Sequence, residues 1–495
     1  MSRSYQLSAT RPTGNRLPST PVHLLDDDSL LIIFSFCRPV ILDESETDNA
    51  RILGGGEWIR ERWWYRLVQV CRRWRYTVLE SASYLRLSLV CTRGTPVADM
   101  LAHSPPIPLI IDHFDEYQDL TAEDEEGIIL AFQHRDRVRR VRLMKPIPIL
   151  ERLITALDGE FPILEFLNML DKRYHEPVTE HISNLRFPEA FRAPHLRRLL
   201  LTNCVIPIGS PLLTMENLVT LSLDDIPSSA YFHPNALLQR LSLMSRLETL
   251  GILFNFYNSS FEVERQMLRT PIMTRVTLPN LRWLAFRGTS AYLEALLPWV
   301  DIPLLEKLQV YFFNRMVYSI PRLQKFMSTA ENLLLKTATI GFAKGCLEVT
   351  AFPHKEAKLY TLDMSLGGKR LDWQVVSAAQ AFHELRAVFS AVEHLTLKYY
   401  RRNISLEWNN EADRTRWREF LGSFGNVKTL FVDGELVEQV SRALQPGEEE
   451  SPTEMLPELQ ELSYSAMGGS PNANAFTLFI DTRRRAGRPV TTIHL

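Results

Sequence analysis

A six-residue apolar pattern recurs along most of the chain. An apolar residue is followed by two other residues, a second apolar residue, one more residue and a third apolar residue, as in Leu196, Leu199 and Leu201. Successive copies start 22 to 35 residues apart. The twelve copies begin at Val138, Leu164, Leu196, Leu218, Leu247, Leu281, Leu305, Leu335, Leu359, Val392, Val427 and Leu459. Because the last two apolar residues of a copy are two positions apart, they share one face of a predicted β-strand.

This spacing is the signature of leucine-rich repeats. Proline precedes several copies, as Pro194 precedes Leu196, and it ends the preceding segment because proline does not continue a helix. Between copies lie amphipathic stretches long enough for a helix, such as 291–300 and 435–444. The pattern predicts an α/β protein in which an irregular leucine-rich-repeat solenoid has a parallel sheet on its concave face. An ordinary multi-domain α/β fold is the alternative.

Two apolar stripes with helical spacing precede the repeat. The first stripe consists of Leu30, Ile33, Phe34 and Cys37. The second stripe consists of Leu67, Val70, Cys71 and Trp74. Periodicity alone favours an ordinary amphipathic core helix for the second stripe. Two helical segments are too few to bury a good core, so we expect this module to pack on the rest of the chain or on another protein.

These patterns divide the chain. The predicted parts are a flexible leader 1–21, a helical module 22–82 with a loop inserted at 38–62, and a repeat region 83–495 whose strands start at about 138 after a connecting segment 83–137. The leader is polar and contains prolines, which is typical of a flexible segment. The inserted loop is acidic and contains three consecutive glycines.

Composition narrows the class of partner. The formal net charge of −2 makes no electrostatic case for nucleic acid or an anionic membrane. The five cysteines are scattered and lack CxxC spacing, which argues against a disulfide framework or a zinc site and fits a reducing compartment. No secretory signal and no apolar stretch of the ~18 residues needed to span a bilayer is present. We therefore expect a soluble cytoplasmic or nuclear protein.

The sequence lacks the motifs of common active sites. HExxH, GxSxG and Walker-loop patterns are absent from it. His175 and His181 are six residues apart, which is poor spacing for a ligand pair on one helix face. Asp26, Asp27 and Asp28 are explained by a helix N-terminus. We expect no enzyme activity, no metal and no cofactor, and a cleft with convergent acids or a nucleophile would favour an enzyme instead.

The two apolar stripes together resemble an F-box. The family's first helix, L-P-x-E-x-L-x-x-I-F, is similar to the segment Leu25 to Phe34, and its L-x-x-V-C-R-x-W-R run is similar to Leu67 to Arg75. Asp26 stands where the family has proline, and the connecting loop is longer than usual. With repeats behind the box, the chain resembles the F-box proteins of mushroom-forming (basidiomycete) fungi, which contain degenerate leucine-rich repeats.

The resemblance implies a substrate-recognition adaptor of a Skp–cullin–F-box type ubiquitin ligase. In this family the box docks on the Skp subunit of a cullin–RING ligase, and the repeats hold a protein substrate. The matching positions for docking are Leu25, Leu30, Ile33, Phe34, Leu67, Val70, Cys71 and Trp74. An alternative position for Trp74 is the core of the box itself. The alternative function is a non-catalytic interaction scaffold whose box no longer docks.

Strand alternation predicts where a substrate would bind. Residues between the repeat leucines point away from the core and onto the concave face. These candidate contacts are Arg197, Arg198, Thr220, Ser222, Arg282, Trp283, Lys307, Gln309, His394, Thr396, Lys428 and Thr429. Their positions do not identify the substrate, which we expect to be a protein.

Overall fold

A computed structural model describes the following residues of the chain: 24–39, 61–114, 120–171, 185–255, 267–313, 319–343, 345–368, 371–400, 414–445, 455–465 and 475–494. The predicted leader, most of the inserted loop, His175 and His181 lie outside these residues. The chain divides into a first compact unit of residues 1–90 with 99–110, and a second of residues 91–98 with 111–495. In the described part, no helix is long and apolar enough to cross a membrane.

The first unit is mainly helical. It contains α1 (Asp27–Phe36), a 3-10 helix (Trp63–Gln69) and α2 (Arg72–Glu80). Three further elements have residues in both units, namely β1 (Leu89–Cys91), α3 (Val97–His103) and β2 (Leu109–His113). Trp64 fixes the 3-10 helix, because its indole N–H donates to the carbonyl of Ser88 at 3.1 Å.

The second unit alternates helices and strands. Its α-helices are α4 (Ala122–Gln133), α5 (Ile147–Thr155), α6 (Pro234–Leu241), α7 (Ser290–Leu296), α8 (Pro321–Thr329), α9 (Leu371–Glu384), α10 (Arg386–Phe389), α11 (Arg414–Leu421), α12 (Val437–Leu444) and α13 (Thr477–Arg485). Its 3-10 helices are Pro211–Thr214, Ser228–Ala230, Leu297–Trp299 and Gly434–Leu436. Helix α4 begins with a capping box between Thr121 and Asp124, which satisfies two backbone N–H groups at its first turn.

The strands of the second unit complete the α/β pattern. The strands in the main sheet are β3 (Val138–Lys145), β4 (Phe166–Asp171), β6 (Arg198–Thr202), β8 (Thr220–Ile226), β9 (Thr249–Phe254), β11 (Trp283–Gly288), β13 (Lys307–Phe312), β14 (Thr337–Ala343), β15 (Gly345–Phe352), β16 (Leu362–Gly368), β17 (His394–Tyr399), β18 (Thr429–Val432), β19 (Glu461–Tyr464) and β20 (Thr491–His494). Four short strands form two separate pairs: β5 (Leu185–Arg186) with β7 (Cys204–Val205), and β10 (Val276–Thr277) with β12 (Val300–Asp301).

From β3 onward, the main sheet has the strand order β3-β4-β6-β8-β9-β11-β13-β16-β15-β14-β17-β18-β19-β20. Most neighbouring strands in it are parallel. The coarse prediction of an α/β protein with a large, mostly parallel sheet is therefore confirmed.

Each of the twelve apolar patterns contributes to its own strand of this sheet. The second apolar residues of the patterns are direct neighbours across β3 to β16: Val141, Leu167, Leu199, Leu221, Leu250, Leu284, Leu308 and Leu362. They are neighbours again across β14 to β19: Ala338, Leu395, Leu430 and Leu462. All of these side chains are buried. The repeat spacing thus predicts both the strands and their register.

Strand β15 was not predicted, and it runs antiparallel to both β14 and β16. Its buried Leu347, Val349 and Ala351 alternate as in any strand, but they lack the preceding leucine of the pattern. Because of β15, strand β13 pairs with β16 instead of β14. The end of β15 lies beside the start of β14, since Phe352 is opposite Thr337.

The second apolar stripe is interrupted, and it does not form the single amphipathic helix that its spacing predicts. The 3-10 helix ends at Gln69, and α2 begins only at Arg72. Between them Cys71 is extended, with φ −158° and ψ 171°. The Arg75 side chain donates from Nε to the carbonyl of Val68 at 3.0 Å, and this carbonyl therefore has a partner without a continued helix.

Leu85, Leu87 and Leu89 alternate with polar residues as in a half-buried strand, but β1 begins only at Leu89. Arg86 has a φ of +50°, in the left-handed region that a strand does not use. The backbone N–H groups of Leu85 and Leu87 donate to the carbonyls of Ser81 and Ala82, so residues 81–87 form turns.

Arg483 on α13 holds the chain segment that leads into β19. Its side chain is only 1% exposed. Its guanidinium donates to the carbonyls of Leu456, Pro457 and Leu459, each at 3.1 Å. The guanidinium thus supplies donors for carbonyl groups that the fold removes from water.

We expect Arg483→Met to lower the free energy of unfolding by roughly 3 kcal/mol, because the three carbonyls lose their partner. Urea denaturation followed by circular dichroism measures this loss. Arg488→Met is the control, since Arg488 also donates to Pro457 but is about half exposed (53%), and it should cost less than about 1 kcal/mol. Equal midpoints for the two variants would contradict the assigned role of Arg483.

Candidate functional site

Helix α1 is apolar around most of its circumference. Leu30 and Phe34 are buried, at 1% and 0% exposure, whereas Ile32, Ile33 and Phe36 are 52%, 44% and 82% exposed. Since successive helical residues are rotated by about 100°, Ile32 and Phe36 lie on the side of the helix opposite the buried pair, and Ile33 lies at the edge between the two sides. A helix that is apolar all round is normally buried on all sides. No described residue gives this outer face of α1 such cover.

Three more large apolar side chains of the first unit are strongly exposed, and they lie in or close to α1 and α2 in the sequence. They are Leu24 before α1, Val70 between the 3-10 helix and α2, and Tyr76 on α2. We call Leu24, Ile32, Ile33, Phe36, Val70 and Tyr76 the apolar surface. Single exposed apolar residues are common, but several of them in and next to two short helices indicate a binding surface.

Helices α1 and α2 are joined by specific contacts. The rings of Phe34 and Trp74 meet edge to face, with centroids 4.8 Å apart. Arg73 of α2 reaches the start of α1, where its Nε donates to Asp27 at 2.8 Å and its terminal N–H donates to the carbonyl of Leu25. The ring contact packs the half-buried Trp74 against the buried Phe34.

The start of α1 is fixed by Asp26, at the position where the F-box pattern has proline. The Asp26 carboxylate accepts a hydrogen bond from the backbone N–H of Ser29 at 2.7 Å. The hydrogen bonds from Ser29 lower the pKa of Asp26 below its usual value. Asp26 is thus an N-cap residue, and α1 begins without the proline.

The predicted docking residues divide into three groups. Leu30 and Phe34 are buried, Ile33 and Val70 are exposed, and the remaining ones are half-buried, namely Leu25, Leu67, Cys71 and Trp74. The sequence reasoning missed Leu24, Ile32, Phe36 and Tyr76 on the apolar surface. Ile32 and Phe36 have a usable signal, because they are spaced i, i+4 on the side of α1 away from its predicted core stripe.

The candidate substrate contacts are spread along the sheet of the second unit. Seven of them lie within strands and are half-buried: Arg198, Thr220, Ser222, Lys307, Gln309, His394 and Thr396. Thr429 is the half-buried first residue of β18, and Arg197, Arg282 and Lys428 directly precede strands.

Trp283 corrects one of these predictions, since it is buried on β11. Its direct neighbours across the sheet are Thr249 on β9 and Lys307 on β13. A wide indole ring packed between two neighbouring strands loses most of its exposure. We therefore remove Trp283 from the candidate contacts.

The structure brings three of the candidates together, namely His394, Thr396 and Thr429, at a cavity of about 350 Å³. Two rows of outward side chains form its floor. The first row is Thr337, His394, Thr429 and Glu461, which are successive neighbours across β14, β17, β18 and β19. The second row is Thr339, Thr396, Phe431 and Ser463. Phe352, Lys355 and Ala357, at the end of β15 and just after it, also line the cavity.

A second polar cluster lies at the carboxyl ends of β8 and β11. The Arg287 guanidinium donates to Asp224 at 2.7 Å and to Asp225 at 2.5 Å. Burial raises the pKa of Asp225 to about 6, although the charge of Arg287 opposes this shift. The like charge of Asp224 raises the pKa further. At neutral pH the ionised Asp225 carboxylate therefore lowers the stability of the folded state.

The raised pKa predicts how stability depends on pH. The folded state holds the Asp225 proton more tightly than the unfolded chain, whose carboxyl titrates near 3.8, so the free energy of unfolding falls as pH rises from about 4 to 6. We expect Asp225→Asn to remove this decline and to stabilise the protein by about 1 kcal/mol at pH 7.5. Asparagine also tolerates the φ of +51° at this position.

Urea denaturation at a series of pH values measures the effect, with Asp224→Asn as the matched variant. Asp224→Asn removes the like charge but keeps the pair between Asp225 and Arg287, so the decline in stability should move to lower pH instead of disappearing. A decline that is unchanged in both variants would disprove the assignment to Asp225.

Comparison with known proteins finds no family model that matches this chain and no curated protein that matches it. Within the described residues, no group of three or more His, Cys, Asp or Glu side chains is arranged to hold a metal ion. The function is therefore inferred from the apolar surface of the first unit and from the outward face of the sheet in the second.

Proposed function

We propose that this protein is a substrate-recognition adaptor of a Skp–cullin–F-box type ubiquitin ligase. Helices α1 and α2 dock on the Skp subunit of the ligase through the apolar surface. The second unit is a leucine-rich-repeat solenoid that holds a protein substrate on its concave face, and it performs no catalysis itself. The observation that supports the proposal most is the exposed outer face of α1.

The exposed side chains of α1 are large enough to drive association. Burying an exposed Ile or Phe side chain contributes roughly 1.5 to 3 kcal/mol. Ile32, Ile33 and Phe36 together therefore offer on the order of 6 kcal/mol before the entropic cost of association. A partner that also covers Val70 and Tyr76 gains more, and this supports a stable protein complex.

The charge pattern of α1 favours a protein partner over a membrane. Helices that lie on membrane surfaces usually have Lys and Arg on their polar side. Helix α1 contains none, and its first turn contains Asp27 and Asp28 after the capping Asp26. An anionic lipid surface would repel this end of the helix.

The alternative is a scaffold whose box no longer docks, and the missing proline is the main reason to consider it. The N-cap formed by Asp26 weakens that alternative, because it supplies the helix start that proline would otherwise favour. The in-register apolar ladder supports the solenoid, since stacked repeats bury their apolar sides against each other.

The double variant Ile33→Asp with Phe36→Asp tests the proposal. We expect it to weaken binding to a purified Skp subunit at least a hundredfold, because two carboxylates replace apolar groups that would be buried in the complex. Isothermal titration calorimetry measures the affinity, and circular dichroism verifies that the variant keeps its fold, as expected for two exposed positions.

Tyr84→Asp is the matched control. Tyr84 belongs to the first unit and is strongly exposed, but it lies in a turn outside α1 and α2, so the variant should bind like the original protein. Lack of any complex with the intact protein would favour the scaffold. An affinity that the double variant leaves unchanged would show that α1 is not the docking helix.

A further inference from the structure

The cavity on β14, β17, β18 and β19 has the chemistry of an anion site. We propose that it binds a phosphate monoester dianion, with Lys355, His394 and the hydroxyl groups of Thr337 and Thr396 as ligands. This inference concerns the second unit alone and does not depend on docking of the first unit.

The irregular strand β15 builds one wall of the cavity. In a purely parallel stack, the segment that follows a strand starts at the carboxyl edge of the sheet. Because β15 is antiparallel, the segment that follows it starts beside the first residue of β14 instead. That segment brings Lys355 to the two polar rows. The wall therefore belongs to this insertion and is not a general feature of the repeat.

One residue that lines the cavity has a hydroxyl group without a partner. The Oγ1 atom of Thr337 is buried and forms no hydrogen bond. Buried polar groups in folded proteins nearly always have a partner, so this hydroxyl group is available to a ligand that reaches it by a small shift of the side chain. Thr337 is the neighbour of His394 in the first polar row, so the hydroxyl and the imidazole belong to one site.

His394 is held in an orientation that suits an anion. Its Nδ1 lies 2.8 Å from Oγ1 of Thr429. When the ring is protonated, Nδ1–H donates to Thr429 and Nε2–H is left to donate to a ligand. Burial first, and then the positive charge of Lys355, lower the pKa of His394 in the free protein. A bound dianion opposes both effects, so binding and protonation of His394 favour each other.

The lysines near the cavity differ in whether they form ion pairs. Glu393 forms ion pairs with two lysines outside the cavity lining, Lys336 at 2.9 Å and Lys428 at 2.7 Å. These two lysines lower the pKa of Glu393 to about 2. Lys355 lines the cavity and forms no ion pair with any described residue, so its positive charge is available to a ligand.

Glu461 is the acidic exception in the lining. It closes the first row on β19, two strands away from His394 on β17. Its negative charge opposes an anion, so it limits the affinity and confines the phosphate to the end of the row near Lys355. A phosphate monoester has three terminal oxygens and up to two negative charges, which suit several hydroxyl donors and a cation better than a carboxylate does.

Isothermal titration calorimetry on the full chain tests the proposal with three probes: inorganic phosphate, N-acetyl-phosphothreonine amide and its unphosphorylated counterpart. We expect phosphate-dependent binding that Lys355→Gln weakens about tenfold and Glu461→Gln strengthens. Lys358→Gln is the control, since Lys358 follows on the same loop but does not line the cavity, and it should change nothing. Tighter binding of the phosphothreonine compound indicates a modified side chain as the ligand, and equal binding indicates a free anion.

The pH dependence gives an independent readout. Sulfate is the probe, because it remains a dianion from about pH 5.5 to pH 8. Its affinity should increase several-fold as pH falls through this range, and His394→Asn should remove the increase.

Thr337→Val gives a readout that a purely structural role does not produce. Valine has nearly the shape of threonine, so the variant should raise the melting temperature by about 2 °C through loss of an unsatisfied hydroxyl, while it weakens phosphate binding about fivefold. The proposal is wrong if phosphate and sulfate do not bind, or if Lys355→Gln and Lys358→Gln bind them equally.

Discussion

The second unit depends on one constraint: apolar side chains must stay in register from strand to strand. Val141, Leu167 and Leu199 show the rule, since each is the direct neighbour of the next and all are fully buried. A shift of a single residue in any strand would turn its leucines to the outward face and its polar residues into the core. The ladder therefore fixes which side chains face outward, and with them the floor of the cavity at His394.

The same constraint explains what the sequence predicts well. The spacing of Leu305, Leu308 and Val310 predicts the strand β13, the face of it that is buried and its register with β11. The outward positions follow by alternation, so His394, Thr396 and Thr429 could be selected without coordinates. Trp283 shows the limit of this reasoning, because alternation predicts direction but not how much a large ring is covered by its neighbours.

Other features have no comparable local signal. The break at Cys71 depends on the backbone and on the Arg75 side chain, and a count of apolar residues is blind to both. The contribution of Lys355 depends on the direction of β15, which is set by pairing with β14 and β16 and not by the residues near Lys355. The outer face of α1 was visible in the sequence, but an apolar residue becomes informative only when the fold leaves it exposed.

The exchange of positions between β14 and β16 also bears on how the chain folds. Gln309 and Asp363, which pair across β13 and β16, are 54 residues apart, whereas Arg282 and Glu306 at the start of β11 and β13 are 24 apart. Repeats normally add one after another, and each new strand needs only a short loop closure. Pairing of β16 with β13 instead closes a longer loop, and because the entropic cost grows only with the logarithm of loop length, the extra cost is about 0.7 kcal/mol. The junction between β13 and β16 is therefore the place where strand pairing in the main sheet stops following the order of the chain.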